Sequence, residues 1–315
     1  MPPATPRRTS ELLATLGRGY VRNAPGSLLK GPLAARYLNP YLRDHPRQRV
    51  VDARFDARFA CDSRDLIQRF ISLYGVWEPH MTRWLQSRLG AGDTFIDVGA
   101  NIGYFAVLGS RLVGSTGRVV AIEASPTFHE RLLRHVRLNG CDDNVRAVNA
   151  AVSDSHKKLT FVLASSNNMG ANSIVPYDGP AESSFDMEAR PLPEILDEAL
   201  DDDELARARV IKIDVEGAEG GVIRGLAPSL KQLRPDVEIA VEVTPDRMAQ
   251  LGDSIDELME TMAQHGFHTY RLPTDYRPEN YPRALRRPEP PTRWRGPIVG
   301  ECELVFSRVD AETLR

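Results

Sequence analysis

The chain has 315 residues, of which 42% are hydrophobic and 26% are charged, and its formal net charge is −3. These values are typical of a globular protein with a buried core, and they exclude a strong overall attraction to nucleic acid or to anionic lipid. The three cysteines are far apart and no C-x-x-C spacing occurs, so neither a disulfide framework nor a zinc site is predicted. No apolar run approaches the ~20 residues of a membrane span. We therefore expect a soluble, cytoplasmic protein.

The N-terminal part is predicted to be a mainly helical accessory segment, residues 1–62, that precedes a main domain of residues 63–315. Its first 60 residues are rich in Pro, Gly and Arg and have only local apolar clusters, a pattern that favours short helices and irregular chain. No apolar stretch follows the basic start, so a signal peptide is not expected. A solvated terminus is the simpler interpretation, but a weak peripheral membrane contact stays open through four arginines, Arg7, Arg8, Arg18 and Arg22.

A helical pattern runs from Ser63 to Leu89 in two groups of apolar residues and ends at Gly90. Glu78 lies in the segment Trp77 to His80, at the predicted start of the second helix. There it either faces a cofactor or is a first-turn acid that the helix dipole favours.

The stretch from Asp93 to Phe105 decides the class of the protein. Phe95 to Val98 is a short apolar run typical of a buried strand, the chain turns through Gly99 and Asn101, and a helical pattern begins at Gly103. A strand, a glycine turn and a helix N-terminus form a cradle in which a nucleotide-type cofactor lies close to the backbone.

Strands and helices alternate beyond this point. Gly117 to Glu123 is predicted as a strand that ends in an acid, and Ser125 caps the following helix, which has proline at its first position. The remaining predicted elements are strands at Val145–Val152, Val210–Asp214, Val237–Val243, Phe267–Leu272 and Cys302–Ser307, helices at Leu192–Leu200 and after a capping Asp253, a hairpin at Leu159–Leu163, a polar loop from Ser165 to Ser173, and a lid loop from Pro273 to Pro297.

This order predicts an α/β fold with a doubly wound, mostly parallel sheet. The last two strands are joined without a helix, so the final strand should run antiparallel to its neighbours. Seven strands with one reversed member form the Rossmann-like sheet of class I S-adenosylmethionine-dependent methyltransferases.

The glycine turn favours S-adenosylmethionine over a nicotinamide dinucleotide. Both cofactors use an acid such as Glu123 for the ribose, but a dinucleotide also needs a G-x-G-x-x-G turn for its pyrophosphate. Asn101 and Tyr104 occupy the second and third glycine positions, and Asp97 would repel a diphosphate. The methyl donor is cationic instead, so acids such as Asp97 and Asp214 are favourable near it. A nicotinamide-dependent oxidoreductase stays the alternative.

The chain resembles the FkbM-type methyltransferases over residues 74–243. The resemblance is carried by Trp77 to Pro79, by Gly92 to Phe105, by Gly117 to Glu123 with Leu138 to Gly140, and by Ile211 to Glu219. Ala151 to Asp154 and Asn168 to Gly170 are also similar to the family pattern. The resemblance implies S-adenosylmethionine as cofactor and O-methylation of a hydroxyl, often on a sugar or a secondary metabolite.

The resemblance also implies which residues hold the cofactor. The methionine end is assigned to Asp97, Gly99, Ala100, Asn101 and Gly103, the ribose to Glu123 with Ala124, and the adenine to Ser153 and Asp154. Glu78 and Asp214 are further cofactor-binding candidates. No metal-ligand spacing is present, so no metal is predicted.

Methyl transfer to a hydroxyl needs a base above the methyl group, beyond the carboxyl ends of the central strands. Asp214 or Glu216 is the preferred candidate, and Glu242 and Lys212 are predicted to orient it. Each could instead be part of a structural ion pair. His80 and His129 are rival bases because histidine titrates near neutral pH.

The expected partner is a small-molecule or glycan acceptor and not a nucleic acid, because no basic stripe with interleaved aromatic residues is visible. A non-catalytic member of the fold that serves as a partner protein is a further alternative. Four arginines of the lid loop region, Arg286, Arg287, Arg293 and Arg295, either grip an anionic acceptor or solvate the loop. The oligomeric state is not predicted.

Overall fold

The computed structural model describes residues 6–163, 172–173 and 183–314. The polar loop predicted between Ser165 and Ser173 lies outside the described residues except for its last two positions, as does the resemblance at residues 168–170. The side chains of Arg7 and Arg8 are also outside them. Within the described residues no helix is long and apolar enough to cross a bilayer.

The N-terminal segment is helical first and then forms a β-hairpin. It contains α1 (Pro6–Asn23), α2 (Lys30–Leu33), a π-helical turn (Ala34–Leu38), α3 (Asn39–Asp44), β1 (Gln48–Ala53) and β2 (Ala57–Asp62). The short helices agree with the prediction, whereas the hairpin was not predicted. Buried and exposed positions alternate along β2, and this period-2 pattern is the sequence signal that could have revealed it.

The rest of the chain alternates strands with helices. Its elements are α4 (Leu66–Tyr74), α5 (Pro79–Arg88), β3 (Thr94–Val98), α6 (Tyr104–Val113), β4 (Arg118–Ile122), α7 (Pro126–Leu138), β5 (Val145–Val148), β6 (Ala151–Ser153), β7 (Lys157–Leu163), β8 (Asn172–Ser173), β9 (Ser183–Pro191), α8 (Leu192–Ala199), α9 (Asp202–Ala206), β10 (Ala208–Ile213), α10 (Glu219–Leu226), a 3₁₀ turn (Ala227–Ser229), β11 (Glu238–Val243), α11 (Pro245–Gln250), α12 (Ile255–Gln264), β12 (His268–Leu272), α13 (Tyr281–Arg286), β13 (Thr292–Arg293) and β14 (Cys302–Ser307).

The main sheet has the order β13-β12-β14-β11-β10-β3-β4-β5. Strands β3, β4, β5, β10 and β11 run parallel to one another, and β14 is antiparallel to both β11 and β12. The seven longer strands with one reversed member confirm the predicted class I methyltransferase fold. The two-residue β13 adds an eighth strand at the edge.

The sheet is covered on both faces because neighbouring residues of each strand point to opposite sides. Phe95 belongs to a core formed with α4, α5, α6, α7 and the N-terminal segment. Ile96, the next residue, belongs to a second core formed with α8, α10 and α12. The parallel strands are therefore mostly apolar on both faces, as the sequence indicated, and the charged residues Asp97, Lys212 and Glu242 are exceptions.

The hairpin is attached to the cofactor end of the sheet by His135. Its Nε2 accepts a hydrogen bond from the backbone N–H of Ala60 at 3.0 Å, and its Nδ1 lies 2.7 Å from the carbonyl oxygen of Ile102. Burial lowers the pKa of His135, which agrees with a neutral ring that donates through Nδ1. Because the segment shares a core with the sheet, the proposed division at residue 62 stays a prediction.

The predicted strand Val145–Val152 is two strands that belong to different sheets. The side chain of Asn149 interrupts it, since its Nδ2 donates to the carbonyl oxygens of Glu123 at 2.8 Å and Ala124 at 3.1 Å. After this break β6 pairs with β9 in a second, four-stranded sheet of order β6-β9-β7-β8. This second sheet was not predicted.

Two further expectations change in detail. Ser254 caps α12 in place of Asp253, because its Oγ accepts from the N–H of Asp256, whereas Asp253 forms an ion pair with Arg224. The predicted lid loop carries α13 and β13, so it is partly regular structure packed on the body.

Candidate functional site

A large cavity lies beyond the carboxyl ends of β3, β4, β10 and β11. The chain order of the sheet reverses between β3 and β10, and ligands of doubly wound sheets bind at such a switch point. The cavity has a volume of about 1150 Å³, measured out to its open mouth. Its walls carry the carboxyl groups of Glu78, Glu123, Asp214, Glu216, Glu242 and Glu301. Among the described lining residues the cationic side chain is Arg247, so the cavity is strongly acidic.

The glycine turn closes one side of this cavity. Gly99 has φ 82°, and a Cβ placed on it would lie 1.8 Å from the carbonyl oxygen of Asp214, so only glycine fits. Gly103 also has φ 82°, and its Cβ would lie 2.4 Å from a methyl group of Leu132. Asn101, at φ 51°, supplies the left-handed residue between them. The turn thus holds β3 against β10 and presents backbone to the cavity.

Glu123 is held as a rigid acceptor opposite the turn. Its Oε2 accepts from the N–H of Asn101 and its Oε1 from the N–H of Ser125, both at 2.8 Å. Burial raises the pKa of Glu123 to about 7 in spite of these two hydrogen bonds. The carboxyl group lines the cavity with its orientation fixed, a geometry suited to a hydroxyl-bearing ligand.

Asp97 is a buried acid without a hydrogen-bond donor. It is 1% exposed, and neither of its carboxyl oxygens has a hydrogen-bond partner among the described residues. Burial raises its pKa to about 6, and the charge of Lys212 opposes that shift. An unpartnered carboxyl beside the glycine turn is costly unless a donor or a cation completes it.

Lys212 is the cation at the centre of the acids. It is 2% exposed, lies next to Asp97 in the register of β3 and β10, and has its Nζ 2.8 Å from Asp214 Oδ2. Burial alone would lower the pKa of Lys212, but the surrounding carboxylates, Asp214 above all, raise it. The sequence expectation of a carboxylate neighbour for this strand lysine is met in this geometry.

Four groups form a chain of contacts along the cavity wall. Tyr276 Oη lies 2.9 Å from Glu78 Oε1 and 3.0 Å from Glu242 Oε1, and Glu242 is hydrogen-bonded to Asp214. These three hydrogen bonds need three protons, and the single hydroxyl proton of tyrosine supplies one of them. Two carboxyl groups must therefore be protonated when all three bonds are formed.

The pKa shifts differ among these three carboxyl groups. Burial raises the pKa of Glu78 to about 7, and burial and the charge of Asp214 raise the pKa of Glu242 well above its usual value. The pKa of Asp214 is lowered, because Lys212 and the bond from Glu242 outweigh its burial. Asp214 is therefore the member of the chain that is most readily ionised.

Glu216 occupies a different environment. It has φ 56° in the turn after β10, and its carboxylate forms an ion pair with Arg247. Both residues line the cavity. The pairing makes Glu216 a weaker proton acceptor than an acid whose second oxygen is free.

Other predicted residues are not brought to the cavity wall. His80 lies behind Tyr276, where its Nδ1 accepts from the N–H of Glu289 at 2.8 Å, and burial lowers its pKa. Asp154 forms ion pairs with Arg224 and Lys157, and Ser153 Oγ lies 3.3 Å from Asp154. The cavity wall near them consists of Ala150, Ala151 and Val152.

The remaining predicted residues also divide into those that line the cavity and those that do not. Ala124 lines the cavity, whereas Ala100 and Gly103 support the turn from behind it, and the rival base His129 is also absent from the wall. The break at Asn149 turns Ser153 and Asp154 towards α10, and their contact with adenine stays a prediction.

Sequence patterns did not reveal Tyr276, Arg247 or Glu303. Tyr276 comes from the irregular loop, reaches the site through tertiary packing, and stacks on Trp77 with ring centroids 5.2 Å apart. Glu303 is 1% exposed on β14, and burial raises its pKa well above its usual value. An acid inside the apolar strand Cys302–Ser307 was the one available signal for it.

A glycine turn at the switch point of a doubly wound sheet, faced by acids and not by phosphate-binding cations, defines the cofactor site of a class I methyltransferase. The sequence model described as the methyltransferase FkbM domain matches residues 97–269, more than half of the chain. The chain therefore belongs to the FkbM methyltransferase family, whose methyl donor is S-adenosylmethionine. Methyl transfer is accordingly favoured over the nicotinamide alternative.

Individual relatives are more distant. Methyltransferase sdnD of Sordaria araneosa is 27% identical over 164 residues, a match that covers 44% of this chain and 62% of that protein, so the chain matches less than two thirds of its relative's length. Methyltransferase FkbM from Methylobacillus flagellatus KT has a TM-score of 0.40 and 17% identity, covering 76% of this chain and 52% of that one. The O-methyltransferase from Bacillus cereus in complex with SAH has a TM-score of 0.40 and 13% identity, covering 72% and 77%.

The residues of the cavity fit this cofactor. Gly99 and Asn101 present backbone to the cavity, Glu123 is oriented by two backbone N–H groups, and Asp97, which lies behind the wall and two residues before Gly99, has no hydrogen-bond partner on its carboxyl oxygens among the described residues. A ligand with a cationic end and a ribose supplies what each of these groups lacks. Within the described residues no group of three or more His, Cys, Asp and Glu side chains is arranged to hold a metal ion.

Proposed function

We propose that this protein is an S-adenosylmethionine-dependent O-methyltransferase that methylates a hydroxyl of a sugar, glycolipid or natural product. The observation that carries the proposal is Asp214 in the cavity wall, with its Oδ2 2.8 Å from Lys212 Nζ and its pKa lowered by that charge, beside Glu242, whose pKa is raised. A hydroxyl becomes a useful nucleophile only when its proton has an acceptor, and a carboxyl group with a lowered pKa is ionised more readily than its neighbours.

The cofactor is expected to lie along the glycine turn. Asp97 and the backbone of Gly99 and Asn101 would hold its amino-acid end, and Glu123 would accept from the ribose hydroxyls. The bound cofactor supplies an electrophilic methyl group on a positively charged sulfur. Because the donor is already activated, the remaining tasks of the protein are to align the acceptor oxygen and to remove its proton.

Asp214 is the proposed general base, and the other acids near it are less suitable. The pKa of Glu242 is raised well above its usual value, so Glu242 keeps its proton more readily than Asp214 does, and Glu216 is paired with Arg247. Lys212 Nζ lies 2.8 Å from Asp214 Oδ2 and fixes the orientation of the carboxylate that is to accept the proton. Glu78, Tyr276 and Glu242 then position Asp214 through the chain of hydrogen bonds and do not touch the reacting atoms.

The test separates binding from turnover. The Asp214→Asn variant should bind S-adenosylhomocysteine within about threefold of wild type by calorimetry, since the amide keeps the shape and two hydrogen-bonding positions. Its methyl transfer should fall by about 10²- to 10⁴-fold. Transfer is measured from radiolabelled S-adenosylmethionine to a panel of hexoses, 6-deoxyhexoses, glycolipids and polyketide alcohols, with the methylated atom located by NMR.

The matched control is Glu216→Gln, which removes the neighbouring acid and should lower transfer by less than about tenfold. A larger loss in this variant than in Asp214→Asn would reassign the base. Saturable cofactor binding without transfer to any acceptor would instead favour the non-catalytic partner protein. The cytoplasmic location and the two-part division of the chain stay predictions.

A further inference from the structure

Helix α1 carries its apolar residues on the outside of the protein. Leu12, Leu13 and Leu16 are 59%, 59% and 62% exposed, and Tyr20 continues the same stripe one turn later. Leu28 and Leu29, 73% and 66% exposed, follow at its end, where Tyr20 Oη donates to the carbonyl of Leu28. We name this surface the leucine face. Large apolar patches of this kind mark a contact with another surface.

Arg18 and Arg22, in the second half of α1, point the other way. Arg18 Nη1 donates to Ser72 Oγ at 3.4 Å, and Arg22 Nη1 donates to the carbonyl oxygen of Ile71 at 3.3 Å. Both acceptors belong to α4, so the polar side of α1 faces the body and its leucines face outward. This corrects the expectation that Arg18 would be an outward-facing membrane contact. An isolated amphipathic helix on a soluble surface has the opposite arrangement.

A pocket lined by four cations lies at the C-terminal end of α1. We name it the cation pocket, and its charged side chains are Arg22, Lys30, Arg54 and Arg286. Each has a neutral partner: Arg22 and Arg54 donate to backbone carbonyls, Lys30 to the carbonyl of Ala24, and Arg286 to Ser27 Oγ. Among the described residues no carboxylate forms an ion pair with any of the four or lines the pocket.

Electrostatics supports an uncompensated positive charge there. Burial lowers the pKa of Lys30, and the charges of Arg54 and Arg286 lower it further. The pKa of Arg22 is lowered by burial and by Arg54, and the one acid that acts on it, Asp52, does not reverse the shift. Lys30 is buried, Arg22 is half-buried, and Arg54 and Arg286 are exposed. Cations that repel one another in this way are stabilised by an anion.

We propose that the leucine face and the cation pocket together dock the protein onto a bilayer that contains anionic phospholipid. The leucines would enter the acyl boundary, and Lys30, Arg54 and Arg286 of the cation pocket would meet headgroup phosphates, as in interfacial helices. A second copy of this chain is a less suitable occupant, because an isologous contact would bring two cation pockets towards each other. The docking surface does not depend on the proposed methyl acceptor.

The surface is connected to the cavity by one helix. Leu66 and Ile67 in the first turn of α4 line the cavity, and Ile71 and Ser72 in its second turn accept hydrogen bonds from α1. Cofactor binding therefore reports whether variants of the docking surface keep the fold of this helix. Leu12, Leu16 and Arg286 are absent from the cavity wall, so changing them should leave that binding intact.

The experiment is co-sedimentation of the full-length chain with vesicles of phosphatidylcholine alone or with about one third phosphatidylglycerol. Wild type should bind the anionic vesicles and not the neutral ones. The Leu12→Ser/Leu16→Ser variant should bind at least about a hundredfold more weakly. Arg286→Gln should lose about fivefold, and binding should fall as salt is raised. Val299→Ser, at a residue 83% exposed outside this surface, is the matched control and should bind as wild type does.

Sedimentation velocity without lipid completes the test. A dimer that the Leu12→Ser/Leu16→Ser variant dissociates, together with no vesicle binding by wild type, would overturn the proposal in favour of self-association. Equal binding of wild type and this variant to anionic vesicles would also overturn it. Binding of millimolar inorganic phosphate by the protein in solution, together with no binding of wild type to anionic vesicles, would show that the cation pocket takes a free anion and would overturn the bilayer proposal. Unchanged S-adenosylhomocysteine affinity in each variant shows that a loss of vesicle binding is not unfolding.

Discussion

Two buried lysines of this protein have opposite surroundings. Lys212, 2% exposed, lies among acids with its Nζ 2.8 Å from Asp214. Lys30, 5% exposed, donates to a backbone carbonyl and lies near Arg54 and Arg286. The pKa of Lys212 is raised and that of Lys30 is lowered, although burial acts in the same direction on both. The sign of the neighbouring charges therefore decides the direction of the pKa shift. A buried lysine among acids stabilises its site, whereas one among cations favours the binding of an anion.

The comparison explains how a chain of small net charge carries two strongly charged regions. The acids are concentrated around the cavity and suit a cationic cofactor, while unpaired cations collect on the side of α1. Each region is charged opposite to what it is proposed to bind. The net charge of −3 is the sum over the whole chain, so it does not show that acids and cations are concentrated in different regions.

The largest expected effect comes from removing each lysine in turn. Lys212→Met should lower the free energy of unfolding by about 3–5 kcal/mol, because it leaves buried carboxylates without their cation. Lys30→Met should change it by less than about 1 kcal/mol, since it removes one hydrogen bond together with a repelled charge. Urea denaturation of both variants at neutral pH measures the difference.

The pH dependence of the Lys212→Met deficit provides a control. Without the cation the folded-state pKa values of Asp97 and Asp214 rise above the unfolded values, so the folded state binds more protons and stability falls as pH rises through this window. The deficit should therefore shrink on going from about pH 8 to about pH 5. Equal losses in the free energy of unfolding in the two lysine variants would contradict the claim that the neighbouring charges distinguish the two sites.

The second prediction concerns the close approach of Gly99, in the glycine turn, to the backbone of Asp214. Gly99→Ala should destabilise the protein by about 2–4 kcal/mol and abolish measurable S-adenosylhomocysteine binding, because its Cβ overlaps the carbonyl of Asp214 at positive φ. Gly140→Ala is the matched control, with φ 59° and nothing within 4 Å of the added Cβ, and should cost about 1 kcal/mol. Thermal unfolding and calorimetry check both, and similar losses would show that the close approach at Gly99 is unimportant.

The smallest expected effect is the pH dependence of cofactor binding. The pKa of Glu123 is raised to about 7, so the folded state binds an extra proton between the unfolded value of 4.5 and 7, and the related stability is lost as pH rises through 7. A protonated Glu123 accepts more weakly from ribose hydroxyls. The Kd of S-adenosylhomocysteine should therefore increase by up to about tenfold per pH unit below 7.

Glu123→Gln should flatten this pH profile. Glu78→Gln should keep it, although burial also raises the pKa of Glu78 to about 7, because Glu78 is assigned to the hydrogen-bonded chain with Tyr276. The opposite pattern, a flat profile for Glu78→Gln and an unchanged profile for Glu123→Gln, would contradict the assignment of the ribose contact to Glu123 and would place it at Glu78.

Local patterns were sufficient where a short segment carries the whole signal. The strand, turn and helix from Asp93 to Phe105 and the strand Val210–Asp214 were predicted from apolar runs, glycines and acids, and the structure contains them. Local patterns failed where a contact between residues far apart in the chain determines the structure. Asn149 divides one predicted strand by bonding to the end of another, and Tyr276 reaches Glu78 across 198 positions of the chain.

The amino-acid sequence by itself determined the class of fold, the family and the cofactor, because alternating apolar strands and a glycine turn are local features that any compact form of this chain must respect. Only the tertiary structure decided which acids have raised and which have lowered pKa values, that His80, Ser153 and Asp154 lie away from the cavity wall, and that α1 turns its leucines outward. Those properties depend on burial and on neighbours distant in the chain, and neither of these is encoded in a short segment.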